Sequence, residues 1–153
     1  MNQQSNFRIS VKAAVFDTSG RLLLAKEHDG KWSLLGGGLN YNEHPVCGLK
    51  REVKEETGLE ITVVSEAPHY FYTCKKRNKP DYSACVVYKV ELESLQFTAS
   101  DECTELRFFS SEEARQVPLL PQVTEFIKQL NSAHNQNDHS VSELYHGIST
   151  AVL

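Results

Sequence analysis

The chain lacks the marks of a membrane-spanning, disulfide-stapled or nucleic-acid-coating protein. No apolar run approaches the roughly 20 residues needed to span a bilayer. Its first residues, MNQQSNFRIS, have no apolar core of the signal-peptide kind. Only four cysteines are present, Cys47, Cys74, Cys85 and Cys103, widely spaced and without a C-x-x-C pair. They read as reduced thiols of a cytoplasmic protein rather than a disulfide framework or a zinc site. Positive charge is not in excess: 16 Lys and Arg stand against 20 Asp and Glu, a net charge of −4. That balance argues against a tight, nonspecific grip on nucleic acid. No internal repeat is visible. What is present is ordinary, with 40% hydrophobic and 24% charged residues in 153. This length suits one domain with a proper core.

Residues 7–16, FRISVKAAVF, read as a strand, with residues 21–27 as its hairpin partner across Asp17-Thr18-Ser19-Gly20. Gly36-Gly37-Gly38 is too permissive for regular structure and suits a tight loop. A helix is expected from about Asn42, because Pro45 is tolerated only in a first turn. Val46, Leu49 and Val53 form its buried stripe, and Gly58 is placed to end it in a left-handed cap. Residues 60–74, with a break placed at Pro68, then 82–93 and 105–110, read as strands. Ser110-Ser111-Glu112-Glu113 is a helix-start signal. Residues 121–131 form an amphipathic helix with Val123, Phe126, Ile127 and Leu130 inward. From Ser132 to Ser140 the chain turns polar and reads as a flexible linker. Val141, Leu144, Tyr145 and Ile148 then recur at helical spacing, in a segment suited to docking. The division is therefore 1–131 as a folded domain and 132–153 as linker and C-terminal segment. Strand-rich halves around one central helix, with a second helix at the end, predict an α/β fold with a mixed sheet between helical layers.

The most informative stretch is Gly37 to Leu59, GGLNYNEHPVCGLKREVKEETGL. At 100° per residue, Glu52, Glu55 and Glu56 fall within one arc of about 100°. Like charges three and four residues apart destabilise a helix, so something must compensate. A hard divalent cation such as Mg²⁺, which takes oxygen ligands, meets that need. Gly37, Glu43, Arg51, Glu52, Val53, Glu55, Glu56, Gly58 and Leu59 together resemble the signature of the Nudix hydrolases, with every fixed position matched. The resemblance extends over most of residues 7–131 and implies the α/β/α sandwich of that family.

It also implies a reaction: hydrolysis of a nucleoside diphosphate linked to a group X, with Mg²⁺ or Mn²⁺ bound. By that resemblance Glu52, Glu55 and Glu56 are the metal-binding and catalytic trio, with the Gly36 carbonyl as a further oxygen ligand. Arg51 is expected to orient a box glutamate, Glu43 to brace it, and Gly37 and Gly38 to bend the loop around the substrate. Gly48 would leave room for metal and phosphate. Leu35 and Asn42 depart from residues common in the family, and neither removes a ligand. The base is a box glutamate or a carboxylate of a distant loop, for which Asp101 and Glu102 are the candidates.

Further residues carry weaker signals. Arg8 and Lys12 share one face of the first strand at period two and can line the cleft, which makes Arg8 a candidate for substrate binding. Tyr70, Phe71 and Tyr72 offer rings for a base, and Tyr72 is taken as the candidate. Lys75, Lys76, Arg77 and Lys79 form a basic loop, read first as a solubilising tip. His134, His139 and His146 lack a compact metal spacing. The expected partner is a small nucleotide, such as a nucleoside triphosphate or a nucleotide sugar. A membrane is excluded, nucleic acid is disfavoured by charge, and a homodimer is compatible with the apolar C-terminal segment. Two other readings stand beside this one: an RNA 5′-end pyrophosphohydrolase, and a non-catalytic regulator that binds a nucleotide or protein.

Overall fold

The computed structural model describes residues 7–75 and 82–136. The expectations placed on Lys76, Arg77, Lys79 and on residues 137–153 lie outside the described residues. The elements in chain order are β1 (Phe7–Ala14), β2 (Leu22–Lys26), β3 (Trp32–Ser33), α1 (Pro45–Thr57), β4 (Ile61–Val64), β5 (Tyr70–Lys75), β6 (Tyr82–Leu92), β7 (Glu105–Phe109), α2 (Ser111–Ala114) and α3 (Pro121–Gln136).

The strands form one layer of two sheets. In the four-stranded sheet β6 is central, parallel to β1 and antiparallel to β4 and β5. The three-stranded sheet runs β3-β2-β7, all antiparallel. Period-two alternation along β2 sends Leu22 and Leu24 into one core and Leu23 and Ala25 into the other. One core packs Val11, Ala13 and Tyr88 under Leu49 and Val53 of α1. The other packs Tyr72, Cys85 and Val87 under Val123, Phe126, Ile127 and Leu130 of α3. The layers are thus helix, mixed sheet, helix, as the sequence predicts. No described helix is long and apolar enough to cross a membrane.

Three expectations need correction. The turn after β1 closes with a Phe16–Leu22 bridge, but the strands then part and β2 pairs with β7 instead. α1 begins at Pro45, not near Asn42, because Asn42 sits at φ 59° in the left-handed region. His44 caps the helix, its side chain accepting the Val46 N–H at 3.3 Å. α3 continues to Gln136, beyond the expected end at residue 131, since no Gly or Pro interrupts it. Gly58 ends α1 at φ 74° and donates its N–H to the Lys54 carbonyl, as expected.

The glycine stretch runs along the outer edge of β1. Val11 donates its N–H to the Gly37 carbonyl and Ala13 to that of Leu35, each at 2.9 Å. Leu39 returns a bond to the Ile9 carbonyl at 3.1 Å. This pairing fixes the loop against the strand that α1 packs upon.

Candidate active site

α1 and the 36–38 loop bring most of the predicted residues together. Arg51 is the hub. Its Nε and Nη2 donate to the two oxygens of Glu43 at 2.7 and 2.9 Å, a forked geometry suited to a carboxylate. Its Nη1 donates to Glu52 at 2.9 Å and to Glu55 at 3.0 Å, and Nη2 also reaches the Gly38 carbonyl at 3.2 Å. Glu43 additionally accepts the Asn40 N–H at 2.9 Å. The Arg51 hydrogen bonds, then the Asn40 bond, hold the Glu43 carboxyl at a pKa of about 2.

Glu56 faces the other side of the loop and accepts the Gly36 N–H at 2.8 Å. Burial lifts its pKa to about 7, with Glu52 and Glu102 adding repulsion and Lys12 and the Gly36 bond working against the rise. Glu52 lies against Gly37, where any Cβ would collide with the carboxylate. Glu55 is the exposed member of the trio. The 98–103 loop is tied to the end of α1. Ser100 Oγ donates to the Glu56 carbonyl at 3.2 Å and accepts the N–H groups of Glu102 and Cys103 at 3.3 and 3.2 Å. Glu102 is thereby brought within electrostatic reach of Glu56. Asp101 is exposed, and among the described residues none links it to the trio in this way. Glu55, Glu56 and residues 96–100 line an open cleft of about 390 Å³.

The donor chemistry fits a hard divalent cation, since every candidate ligand is an oxygen and most are carboxylates. As the side chains stand, Glu52 and Glu55 are held by Arg51 and the Gly36 carbonyl by Lys12, while Glu56 accepts the Gly36 N–H. Among the described residues no three acidic, histidine or cysteine groups converge as a metal cage. The Gly36 carbonyl, expected as a ligand, accepts the Lys12 ammonium, which also donates to the Leu34 carbonyl at 3.2 Å.

Two placements differ from expectation. Tyr72 is not displayed as an open ring: it is buried and stacks on Phe126 of α3 at 6.2 Å. Alternation along β5 turns Tyr70, Tyr72 and Cys74 toward α3 and leaves Phe71 as the exposed ring. At Gly48 the space beside the helix belongs to Leu39 and Glu43 rather than to a ligand. A Cβ there would collide with the Leu39 side chain and approach Glu43 Oε2 to 2.9 Å.

Arg8 does line a cleft, beside Gly38, with Ser10, Lys12 and Ser83. Sequence reasoning missed Ser10, Ser83 and Ser100. The first was findable, because Ser10 lies between Arg8 and Lys12 on the same strand face. A serine that tethers a loop through main-chain groups leaves no such pattern.

Comparison with known proteins bears on this arrangement. The NUDIX domain model matches residues 6–130. A MutT-like protein of Streptomyces ambofaciens is 45% identical over 56 residues, 36% of each chain. An RNA pyrophosphohydrolase of Bartonella henselae is 35% identical over 77 residues, 43% of this chain and 44% of that protein. The chain therefore matches less than half the length of these curated relatives. The MutT protein of Methanosarcina mazei Go1 has the same fold, with a TM-score of 0.70 at 23% identity over 88% of this chain and 99% of that one. With the family match spanning most of the described fold and the glycine loop and acidic helix inside it, the chain belongs to the NUDIX domain family.

Proposed function

We propose that this protein is a metal-dependent nucleotide pyrophosphohydrolase. It cleaves the P–O–P link of a nucleoside diphosphate joined to a group X, with a small nucleotide as substrate. The observation that carries this reading is the gathering of Glu52, Glu55, Glu56 and Glu102 around one glycine loop braced by Arg51.

In this reading Glu52, Glu55 and Glu56 hold Mg²⁺ or Mn²⁺, with the Gly36 carbonyl as a further oxygen once Lys12 yields it. The ion, when bound, neutralises phosphate charge and lowers the pKa of water. Arg51 and Glu43 keep the helix carboxylates oriented. Gly37 and Gly38 let the phosphates approach the backbone closely. Glu102 takes the proton of the attacking water as the new P–O bond forms and the bridging P–O bond breaks. Asp101 is the weaker choice for this role. A cytoplasmic location accompanies the reading, in keeping with four free cysteines.

The test is phosphate release from a panel of nucleotides with added Mg²⁺, using Glu56→Gln as the control. Turnover by the native protein alone supports the proposal. No turnover of any small nucleotide by folded, metal-supplied protein sinks it. A second reading, an RNA 5′-end pyrophosphohydrolase, draws on the name of the Bartonella henselae relative. It would be favoured by turnover confined to 5′-triphosphorylated RNA.

A further inference from the structure

The cleft beside Gly38 has a composition that the carboxylate site does not explain. Strand alternation and register set its floor. Arg8 of β1 pairs with Ser83 of β6, which pairs with Cys74 of β5, so the three form one row across the sheet. Ser10 and Lys12 follow on the same face of β1. Leu120, Pro121 and Gln122 close the far wall at the start of α3.

Charge and size both narrow what this cleft accepts. Arg8, Lys12 and Lys75 line it, and among the described residues no carboxylate and no aromatic ring does. Glu125 of α3 acts electrostatically on Cys74 but is paired with Lys128 at 2.7 Å. Two of the three Lys12 N–H donors go to main-chain carbonyls, which leaves the third for the cleft. Ser10 and Ser83 are only 8% and 3% exposed, and neither hydroxyl is hydrogen-bonded to another described residue. Neither oxygen is among the fully buried, unpartnered atoms of the described residues, so both hydroxyls open to the cleft they line. The volume is about 270 Å³, just under the roughly 300–1,000 Å³ of clefts that hold drug-sized ligands. Without a ring to stack on, a nucleobase has little to gain there.

Position supplies the last element. A Cβ at Gly37 would strike the Glu52 carboxylate, and a Cβ at Gly38 would strike the Arg8 guanidinium. Consecutive residues of one loop thus face the acidic site and the cationic cleft in turn. Their Cα atoms are about 3.8 Å apart, close enough for one polyphosphate chain to engage both.

We propose that this cleft is a subsite for a terminal phosphate, so that the group X of the substrate is itself phosphate and the substrate is a nucleoside triphosphate rather than a nucleotide sugar. The inference rests on the pyrophosphohydrolase reading and makes it more specific. Arg8 grips the terminal phosphate as a fork, and Ser10, Ser83 and Lys12 donate to its remaining oxygens.

The experiment pairs kinetics with metal-free binding, on the full chain and on Arg8→Gln and Ser83→Ala. The expected result is a kcat/KM for a nucleoside triphosphate that falls at least tenfold in Arg8→Gln and threefold or more in Ser83→Ala. A nucleotide sugar should be the poorer substrate of the native protein and change less than threefold. A 5′-triphosphorylated oligonucleotide, run alongside, shows whether the same terminus is read on RNA. Equal losses for triphosphate and nucleotide sugar, or preference for the sugar, overturn the proposal while leaving the hydrolase reading intact. If nothing is turned over, calorimetry with inorganic tripolyphosphate in chelator decides. Binding that weakens at least tenfold in Arg8→Gln keeps the anion subsite, and its absence in the native protein removes it. Unchanged circular dichroism guards both variants against misfolding.

Discussion

The Glu56 carboxylate accepts the main-chain N–H of Gly36 at 2.8 Å, joining the last full turn of α1 to the loop at its flank. Burial is the main reason its pKa rises to about 7. In the unfolded chain a glutamate titrates near 4.3. Between those values the folded protein holds a proton that the unfolded chain has lost. Stability therefore falls as pH rises from about 4.5 to 7 and levels off above, by about 3–4 kcal/mol at most. Urea unfolding of chelator-treated protein at pH 5 and pH 8 should reveal this loss. Glu56→Gln should flatten it, and an unchanged slope in that variant would assign the effect elsewhere.

Catalysis should divide the two loop acids. Glu102→Gln is expected to lower kcat by about 100-fold or more, the usual scale for removing a proton acceptor. Asp101→Asn should stay within about threefold, because no described contact ties Asp101 to the trio; threefold is taken as the scatter of a surface change. Steady-state assays of both variants on the best nucleotide check this. Equal losses would mean that the loop, not one carboxylate, is what matters.

Arg51 cannot be replaced by lysine without loss, because an ammonium cannot reproduce a fork to Glu43 together with bonds to Glu52 and Glu55. The side chain is partly exposed, so the cost should be about 1–2 kcal/mol rather than the larger figure for a fully buried pair. That corresponds to a fall in Tm of roughly 5 °C. Glu43 adds a pH signature of opposite sign. Its folded pKa is depressed to about 2, so its contribution is present above about pH 4.3 and is lost as pH falls toward 2. Arg51→Lys should move the acid-unfolding midpoint to higher pH, as followed by circular dichroism.

Ser100→Ala removes one hydrogen bond to α1 and two acceptor contacts inside the loop. The expected cost is about 1 kcal/mol in stability. Hydrogen exchange at the Glu102 and Cys103 amides should quicken relative to the native protein. Unaltered exchange at both would show that the loop is held by other contacts.

The helix with its acidic arc was legible because periodicity and spacing are local. Leu49 and Val53 at the core, Glu52 and Glu56 beside the loop, and the left-handed Gly58 all follow from offsets within a few turns. So did the buried face of α3, where Val123, Phe126, Ile127 and Leu130 meet the sheet. Parity along β5 separates Tyr72 from Phe71 but does not say which face a helix covers, and that choice depends on α3, some 50 residues later. The departure of β2 from β1 was hidden for the same reason. Its partner Phe109 lies far along the chain, while the turn at Asp17–Gly20 is the same whether or not the strands stay paired. Lys12 was legible as a neighbour of Arg8 on the cleft face, but its bonds to the Leu34 and Gly36 carbonyls were not, because every residue carries a carbonyl.

The loop that carries Gly36 and Gly37 also occupies the hydrogen-bonding edge of β1. A strand edge left bare is a template for another chain. Here the segment that shapes the candidate active site is what keeps that edge from being available. Substitutions that loosen residues 35–39 should thus reduce solubility as well as turnover, and self-association of such variants would appear in sedimentation before any loss of helix signal. On the proposed function, turnover and resistance to aggregation would share the same few peptide groups, so tuning the loop for one should carry a consequence for the other.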